Sequence, residues 1–237
     1  MMINMKFTGT DTHFAFIDDF SIKEIGTATG WTDADQQLDI PQTALQSYNQ
    51  LAWFDGVADY VSIADHDDFS FVVGTDDSAF SISAWINMND ATSFEIIGKG
   101  EYNVDAEWRL RTESDDKLHF TLYDESVNNT HETANTTATL TTYENQFIHV
   151  VATYDGTGGT SANDGITLYI NGASQAVTKT GGGTYDSILN GSSPVEIGVY
   201  ATSVYADGQI DDVLIYSKEL SAAEILRNYN AGKRSHR

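Results

Sequence analysis

Apolar and polar residues alternate in short runs along most of this 237-residue chain. Ile82, Ala84, Ile86 and Met88 alternate with Ser81, Ser83, Trp85 and Asn87. A period of two is the mark of a β-strand, whose successive side chains point to opposite faces. Trp85 on the otherwise polar face predicts a strand covered on both sides. Phe147, His149 and Val151 alternate with Ile148, Val150 and Ala152, which predicts a second central strand. Runs of this kind place strands at 13–25, 50–54, 58–63, 79–88, 94–98, 107–112, 117–123, 136–142, 146–154, 165–170, 174–179, 194–199 and 208–216. Asn171-Gly172 between two such runs predicts a hairpin, because both turn positions need positive φ. Asp155-Gly156 closes another strand, and Gly181 to Gly183 mark a loop.

Helical periodicity is confined to the end. Ser221 and Glu224 form an S-x-x-E capping box, Ile225, Leu226 and Tyr229 supply an apolar stripe, and Gly232 stops the helix. The tail 233–237 is basic and is expected to fray. The pattern as a whole predicts an all-β protein: two antiparallel sheets, packed as a sandwich, with a short C-terminal helix.

Composition narrows the function. Hydrophobic residues make up 41% and charged residues 20%, so a packed globular domain is expected rather than a disordered chain. There are 35 acidic residues against 12 basic ones, a net charge of -23. Phosphate binding needs clusters of Lys and Arg, so nucleic acid is excluded as a partner and an anionic membrane surface is disfavoured. Such acidity keeps a protein soluble by self-repulsion; it also suits salt water or divalent cations. The absence of cysteine excludes disulfides, thiolate zinc sites and Cys nucleophiles, and leans towards a bacterial or viral source. No run of about 18 apolar residues predicts a membrane span, and Met1 to Thr10 predict no signal peptide.

Residues 1–49 have a different texture. Thr27 to Thr43 are polar and rich in Asp and Gln, the composition of a connecting arm. Ile17-Asp18-Asp19-Phe20-Ser21-Ile22 echoes Ile210-Asp211-Asp212-Val213-Leu214-Ile215. Either the echo is chance or residues 1–26 are a remnant strand of a second sandwich. The expected organisation is an arm at 1–49, used for docking or oligomerisation, a sandwich at 50–232 and the tail 233–237.

Six blocks, in order, carry a family resemblance. They are Trp53-Phe54-Asp55-Gly56-Val57-Ala58-Asp59-Tyr60-Val61, Phe80 to Ile86, Ile97-Gly98-Lys99-Gly100, His149 to Gly156, Ile166 to Gly172, and Val195-Glu196-Ile197-Gly198. With the terminal strand and helix, the chain from about 51 to 232 resembles the laminin-G-like, concanavalin A-like lectin/glucanase jelly rolls. Phe147 departs from the tryptophan usual in the family before the His-Val-Val strand. The stretch from Gly30-Trp31-Thr32-Asp33 through Ile40-Pro41 to Trp53-Phe54 resembles arms in tail and virion proteins of marine bacteriophages. The resemblance implies a jelly roll in which the first and last strands lie side by side.

That adjacency would bring Asp55 and Asp59 near Asp211 and Asp212. Hard oxygens at one strand junction suit Ca²⁺, and similar domains often hold a structural calcium there. The alternative is that Asp55-Gly56 is only a turn and Asp211 only caps backbone amides. A second acidic group, Asp65, Asp67, Asp68, Asp76 and Asp77 with His66, reads as a solvated face. The histidines show no H-E-x-x-H spacing, and His149 reads as a satisfied strand histidine. The glucanase branch of the superfamily aims two carboxylates at one glycosidic bond, whereas Glu101 to Glu107 lacks that spacing, so no catalytic residue is expected. Sugar rings stack on aromatic side chains. Tyr102, Trp108, Tyr185, Tyr200 and Tyr205 are the candidates, with Tyr200 in the 198–208 loop favoured and Trp53 and Trp85 assigned to the core.

The expected function is therefore non-catalytic: a virion surface protein, a bacteriophage fibre or capsid decoration subunit, attaching to cell-surface glycans. Other virion proteins would receive the arm, and a homo-oligomer, a trimer for a fibre, is expected. The location would be the virion surface or the extracellular space. A purely structural oligomerisation module and a glycan-processing enzyme remain as alternatives.

Overall fold

The computed structural model describes residues 52–236, apart from 103 and 127–129. The arm at 1–49, its echo and the strand expected at 13–25 lie outside the described residues. One sheet has six strands in the order β1 (Ala52–Asp55), β17 (Asp207–Tyr216), β5 (Phe80–Met88), β10 (Ile148–Tyr154), β11 (Ile166–Ile170) and β12 (Ala173–Ser174). The other has seven, β13 (Val177–Gly181), β9 (Thr130–Thr136), β8 (Leu118–Asp124), β7 (Trp108–Thr112), β6 (Glu95–Lys99), β14 (Val195–Ile197) and β2 (Val61–Ile63). Every neighbouring pair is antiparallel. Two small hairpins, β3 (Val72–Val73) with β4 (Asp76–Asp77) and β15 (Val199–Tyr200) with β16 (Val204–Tyr205), sit outside these sheets. Helix α1 (Ala222–Gly232) follows β17.

Alternation sorts the side chains as expected. Phe80, Ile82, Ala84, Ile86 and Met88 of β5 meet Trp108 and Leu110 of β7 and Leu118, Phe120 and Leu122 of β8 in one buried core. Phe71 stacks on Phe80 at 4.0 Å between ring centroids. Each large apolar side chain among these contributes about 1.5–3 kcal/mol by leaving water. The opposite face of β5 and β10 is covered too. Val151, Tyr169, Leu220 and Ile225 form a second buried cluster, with Ile225 supplied by α1. Gly232 explains how closely the helix end approaches: a Cβ there would lie 2.5 Å from the Trp85 indole nitrogen.

The hairpin at Asn171-Gly172 has both residues at positive φ, 52° and 80°, and pairs Ile170 with Ala173. The capping box is formed. Ser221 N–H donates to Glu224 Oε2 at 2.9 Å, and Glu224 N–H donates to Ser221 Oγ at 3.4 Å. Lys218, and then the amide and hydroxyl of Ser221, hold the exposed Glu224 carboxyl down at about 2. The cap is therefore complete above the ordinary 4.5 and lost as pH falls through about 2. An NMR titration is expected to place Glu224 near 2; a midpoint at 4.5 would mean the box is open in solution.

Several expectations are corrected. The strand expected at 136–142 is β9 at Thr130–Thr136, followed by a 3-10 turn at Thr141–Tyr143. Glu132, Ala134 and Thr136 are all buried, so β9 has no apolar alternation, and its ladders to β8 and β13 define it. Trp53 is 57% exposed on the edge strand β1, while Phe54 enters the core. Asp77 is buried rather than solvated, accepting from Tyr154 Oη, Tyr185 Oη and Ile188 N. Up to His236 the tail is held rather than frayed: His236 is buried and stacks on Trp85 at 4.3 Å. Among the described residues no helix is long and apolar enough to cross a membrane.

Candidate functional site

Once Trp108 and Leu110 face the core, the two-residue period turns Arg109 and Arg111 to the outside of the seven-stranded sheet. On β8 the inward Leu118, Phe120 and Leu122 likewise leave His119, Thr121 and Tyr123 outside, and on β9 His131 and Thr133 share that face. Register then sets the rows. Arg109 lies opposite Thr121 and Thr121 opposite Thr133, with 3.0 Å between the two hydroxyls. Tyr123 lies opposite His131. The β15–β16 hairpin folds back over this face. Its Tyr200 ring lies 3.4 Å from the Arg109 guanidinium carbon, a cation–π contact. The turn behind Tyr200 puts Ala201 and Thr202 at φ 50° and 49°. A β-branched residue in the left-handed region is strained, so tertiary contacts hold this turn.

Tyr102, Arg111, Glu113, Thr121, Tyr123, His131, Thr133 and Tyr200 line one cleft of about 310 Å³. Tyr102 and Tyr123 approach to 5.9 Å between centroids, and Tyr123 and His131 to 6.1 Å. Burial pushes the Tyr123 hydroxyl up, against the pull of Arg109 and Arg111. Glu95 lies beneath, with Oε2 3.6 Å from Arg109 Nε and Oε1 3.5 Å from Arg111 Nη1. Its burial pushes the carboxyl up, although both arginines oppose this. The 3.6 Å contact is an ion pair too long for a hydrogen bond. Arg109 Nε and Nη1 and Arg111 Nε are thus buried donors without partners. The wall of the cleft is therefore aromatic, and Arg111 brings one guanidinium to it.

A family profile described as the concanavalin A-like lectin/glucanases superfamily, of laminin G type, matches residues 55–226. The chain belongs to this superfamily. No curated protein matches it by sequence. The lectin/glucanase fold recurs in solved structures of toxin binding domains. The binding domain of Paraclostridial mosquitocidal protein 1 superposes with TM-score 0.51 at 14% identity, over 78% of this chain and 53% of that one. The botulinum neurotoxin serotype G binding domain gives 0.51 at 18%, over 76% and 46%. The binding domain of botulinum neurotoxin DC in complex with SialylT gives 0.51 at 19%, over 75% and 41%. The chain thus spans only 41% to 53% of the length of these structures.

Of the five aromatic residues singled out as ligand contacts in this lectin/glucanase domain, Tyr102 and Tyr200 meet in the cleft. Trp108 does not. It is wholly buried in the core and its indole N–H donates to Phe69 O at 2.9 Å. Tyr185 is 2% exposed and bonded to Asp77. Tyr205 belongs to the same hairpin as Tyr200, but its hydroxyl donates to Thr202 O and it does not line the cleft. Sequence reasoning missed Arg109, Arg111, Tyr123, His131, Thr121 and Thr133. The usable signal was alternation: placing Trp108 in the core obliges Arg109 and Arg111 to face out.

The expected calcium site is not assembled. β1 and β17 do pair, but the register sets Asp55 opposite Asp207. Asp55 therefore lies four residues from Asp211 along the ladder, roughly 13 Å at about 3.3 Å per residue. Asp55 Oδ1 accepts from Val57 N at 2.9 Å and Ala58 N at 3.4 Å, which is the turn reading. Asp59 is exposed. Asp211 and Asp212 converge with His236 instead.

Proposed function

We propose that this domain is a non-catalytic, lectin-like module that binds a saccharide in the cleft of the seven-stranded sheet. The carrying observation is the convergence of Tyr102, Tyr123 and Tyr200 with Arg111, His131 and the Thr121–Thr133 pair on one concave surface. Sugar rings stack on such aromatic faces while hydroxyls accept from guanidinium donors. Arg111, which lines the cleft, brings the guanidinium. The strained turn that holds Tyr200 over Arg109 suits a preorganised contact. The neurotoxin DC domain in complex with SialylT is a ligand-binding precedent for the fold. Of the cleft residues only Glu113 is a carboxylate, and it is paired with Arg111, whereas glycoside hydrolysis generally needs two.

A glycan array with the purified chain is expected to give specific binders. Tyr200→Ala should then weaken binding about tenfold, the loss of one stacked ring. Trp53→Ala, exposed on the edge of the other sheet, should leave it unchanged. Equal loss in both variants would move the site elsewhere, and an array without binders would refute the saccharide reading.

The carrier we propose is a virion surface protein, a bacteriophage fibre or capsid decoration subunit. The net charge of -23, the absence of cysteine and the texture of residues 1–49 support this reading. Deleting 1–49 should abolish incorporation into particles while the sandwich still folds. A strictly monomeric chain in solution would count against a fibre.

A further inference from the structure

The opposite sheet carries a second constellation, independent of the saccharide reading. The β17–β5 ladder slips between Asp211 and Leu214, and Asp212 there has φ 45°. Such a bulge re-aims side chains, and it sets two neighbouring carboxylates together. Helix α1 ends at Gly232, and the tail returns His236 to them. His236 Nε2 lies 3.0 Å from Asp211 Oδ2 and 3.9 Å from Asp212 Oδ2. One ligand atom from each of the three residues falls within 4.8 Å of the others.

The imidazole is fixed before anything binds. It stacks on Trp85 with an interplanar angle of 4° and meets Phe147 edge-on. Its Nδ1 is 2.9 Å from Gly232 O. A carbonyl only accepts, so Nδ1 carries a hydrogen. In the neutral ring Nε2 then presents a lone pair to two carboxylates. Metal-ligating histidines commonly have this arrangement, with the far nitrogen donating to a backbone carbonyl. Both separations are short enough for one ion to bridge at about 2.1 Å per bond.

The space beside the cluster supplies a second observation. Asp212 borders a cavity of about 370 Å³ that is also lined by Ser83, Trp85, His149, Gly232 and Ser235. Ser83 is 1% and His149 3% exposed, yet Ser83 Oγ and His149 Nδ1 have no hydrogen-bond partner. Buried polar atoms are rarely left so, and these two await a water or ligand group. We propose that Asp211, Asp212 and His236 bind a divalent transition-metal cation whose remaining coordination positions open towards the cavity lined by Ser83 and His149. One imidazole nitrogen with two carboxylates suits zinc, nickel or copper, whereas calcium takes oxygen ligands only. The ion would tie the tail to the last strand of the six-stranded sheet.

The test is calorimetric titration of the chelator-treated full chain with Zn²⁺, and with Ca²⁺ in parallel. One equivalent of Zn²⁺ should bind, Ca²⁺ should not compete, and the melting temperature should rise with Zn²⁺ as linkage requires. His236→Ala and Asp211→Asn should each weaken Zn²⁺ at least about tenfold. If His236→Ala loosens the tail, Asp212→Asn, exposed and outside the stacked cluster, gives the same reading on an intact fold. Cu²⁺ quenching of Trp85, measured against a Trp85→Phe control, reports the location. Absence of Zn²⁺ binding, or binding unchanged in all three ligand variants, would overturn the proposal and leave His236 only as a side chain packed against Trp85 and Asp211.

Discussion

Replacing Asp77 by alanine is expected to cost about 4 kcal/mol or more and to lower the melting temperature by roughly 10 °C. Its Oδ2 accepts from Tyr154 Oη at 2.6 Å and Tyr185 Oη at 2.8 Å, and its Oδ1 from Ile188 N at 2.7 Å. Tyr154 Oη in turn accepts from Gly158 N at 2.7 Å. One carboxylate thus joins β4, β10 and the loops at 155–159 and 184–190. Burial pushes the Asp77 carboxyl up even with three donors, and pushes both tyrosine hydroxyls up as well. Tyr154 is 0% and Tyr185 2% exposed, so after Asp77→Ala two phenols and an amide stay buried without an acceptor. Each such orphan costs about 1–3 kcal/mol. Asp77→Asn keeps one acceptor oxygen and should recover part of the loss. Thermal melts decide it: an alanine variant melting within about 2 °C of the parent, less than 1 kcal/mol at this size, would mean the node holds nothing.

Acidification from pH 7 to 4 is expected to remove about 3 kcal/mol through His149 alone. The residue is 3% exposed, and burial first, His236 second, push its pKa from 6.5 down to about 4. A folded-state pKa below the unfolded one means that the unfolded chain takes up the proton first. The contribution is complete above 6.5 and is lost as pH falls towards about 4. Asp77, Glu95, Glu107 and Glu132 work in the opposite sense, since burial raises each of them. Their part grows as pH falls towards the ordinary carboxylate values, so the raw profile mixes both. Urea unfolding of the parent and of His149→Gln, both with chelator, isolates the histidine. The free-energy gap between them should shrink by about 3 kcal/mol from pH 7 to pH 4. A gap that does not change with pH would show that His149 is not held neutral.

The central strands were legible because alternation is a local property. In 80–88 and 148–154 each apolar residue declares its own face, and Trp85 on the polar side announced the cover that α1 and His236 provide. Asn171-Gly172 and the Ser221–Glu224 box were legible for the same reason, since their chemistry is complete within four residues. β9 was not, because Glu132 and Thr136 are buried polar residues and the strand is defined by its ladders to β8 and to β13, the latter more than 40 residues away.

The amino-acid sequence by itself determined the class of fold, the family, the central strands and the capped helix, because periodicity and turn chemistry act over a few residues. Tertiary structure alone decided the sites. A strand that slips by an even number of residues keeps every face, so the family resemblance could imply β1 beside β17, but alternation could not tell Asp207 from Asp211 as the partner of Asp55. Tyr200 reaches Arg109, and His236 reaches Asp211, only after hairpin and tail have folded back across sheets built from distant strands.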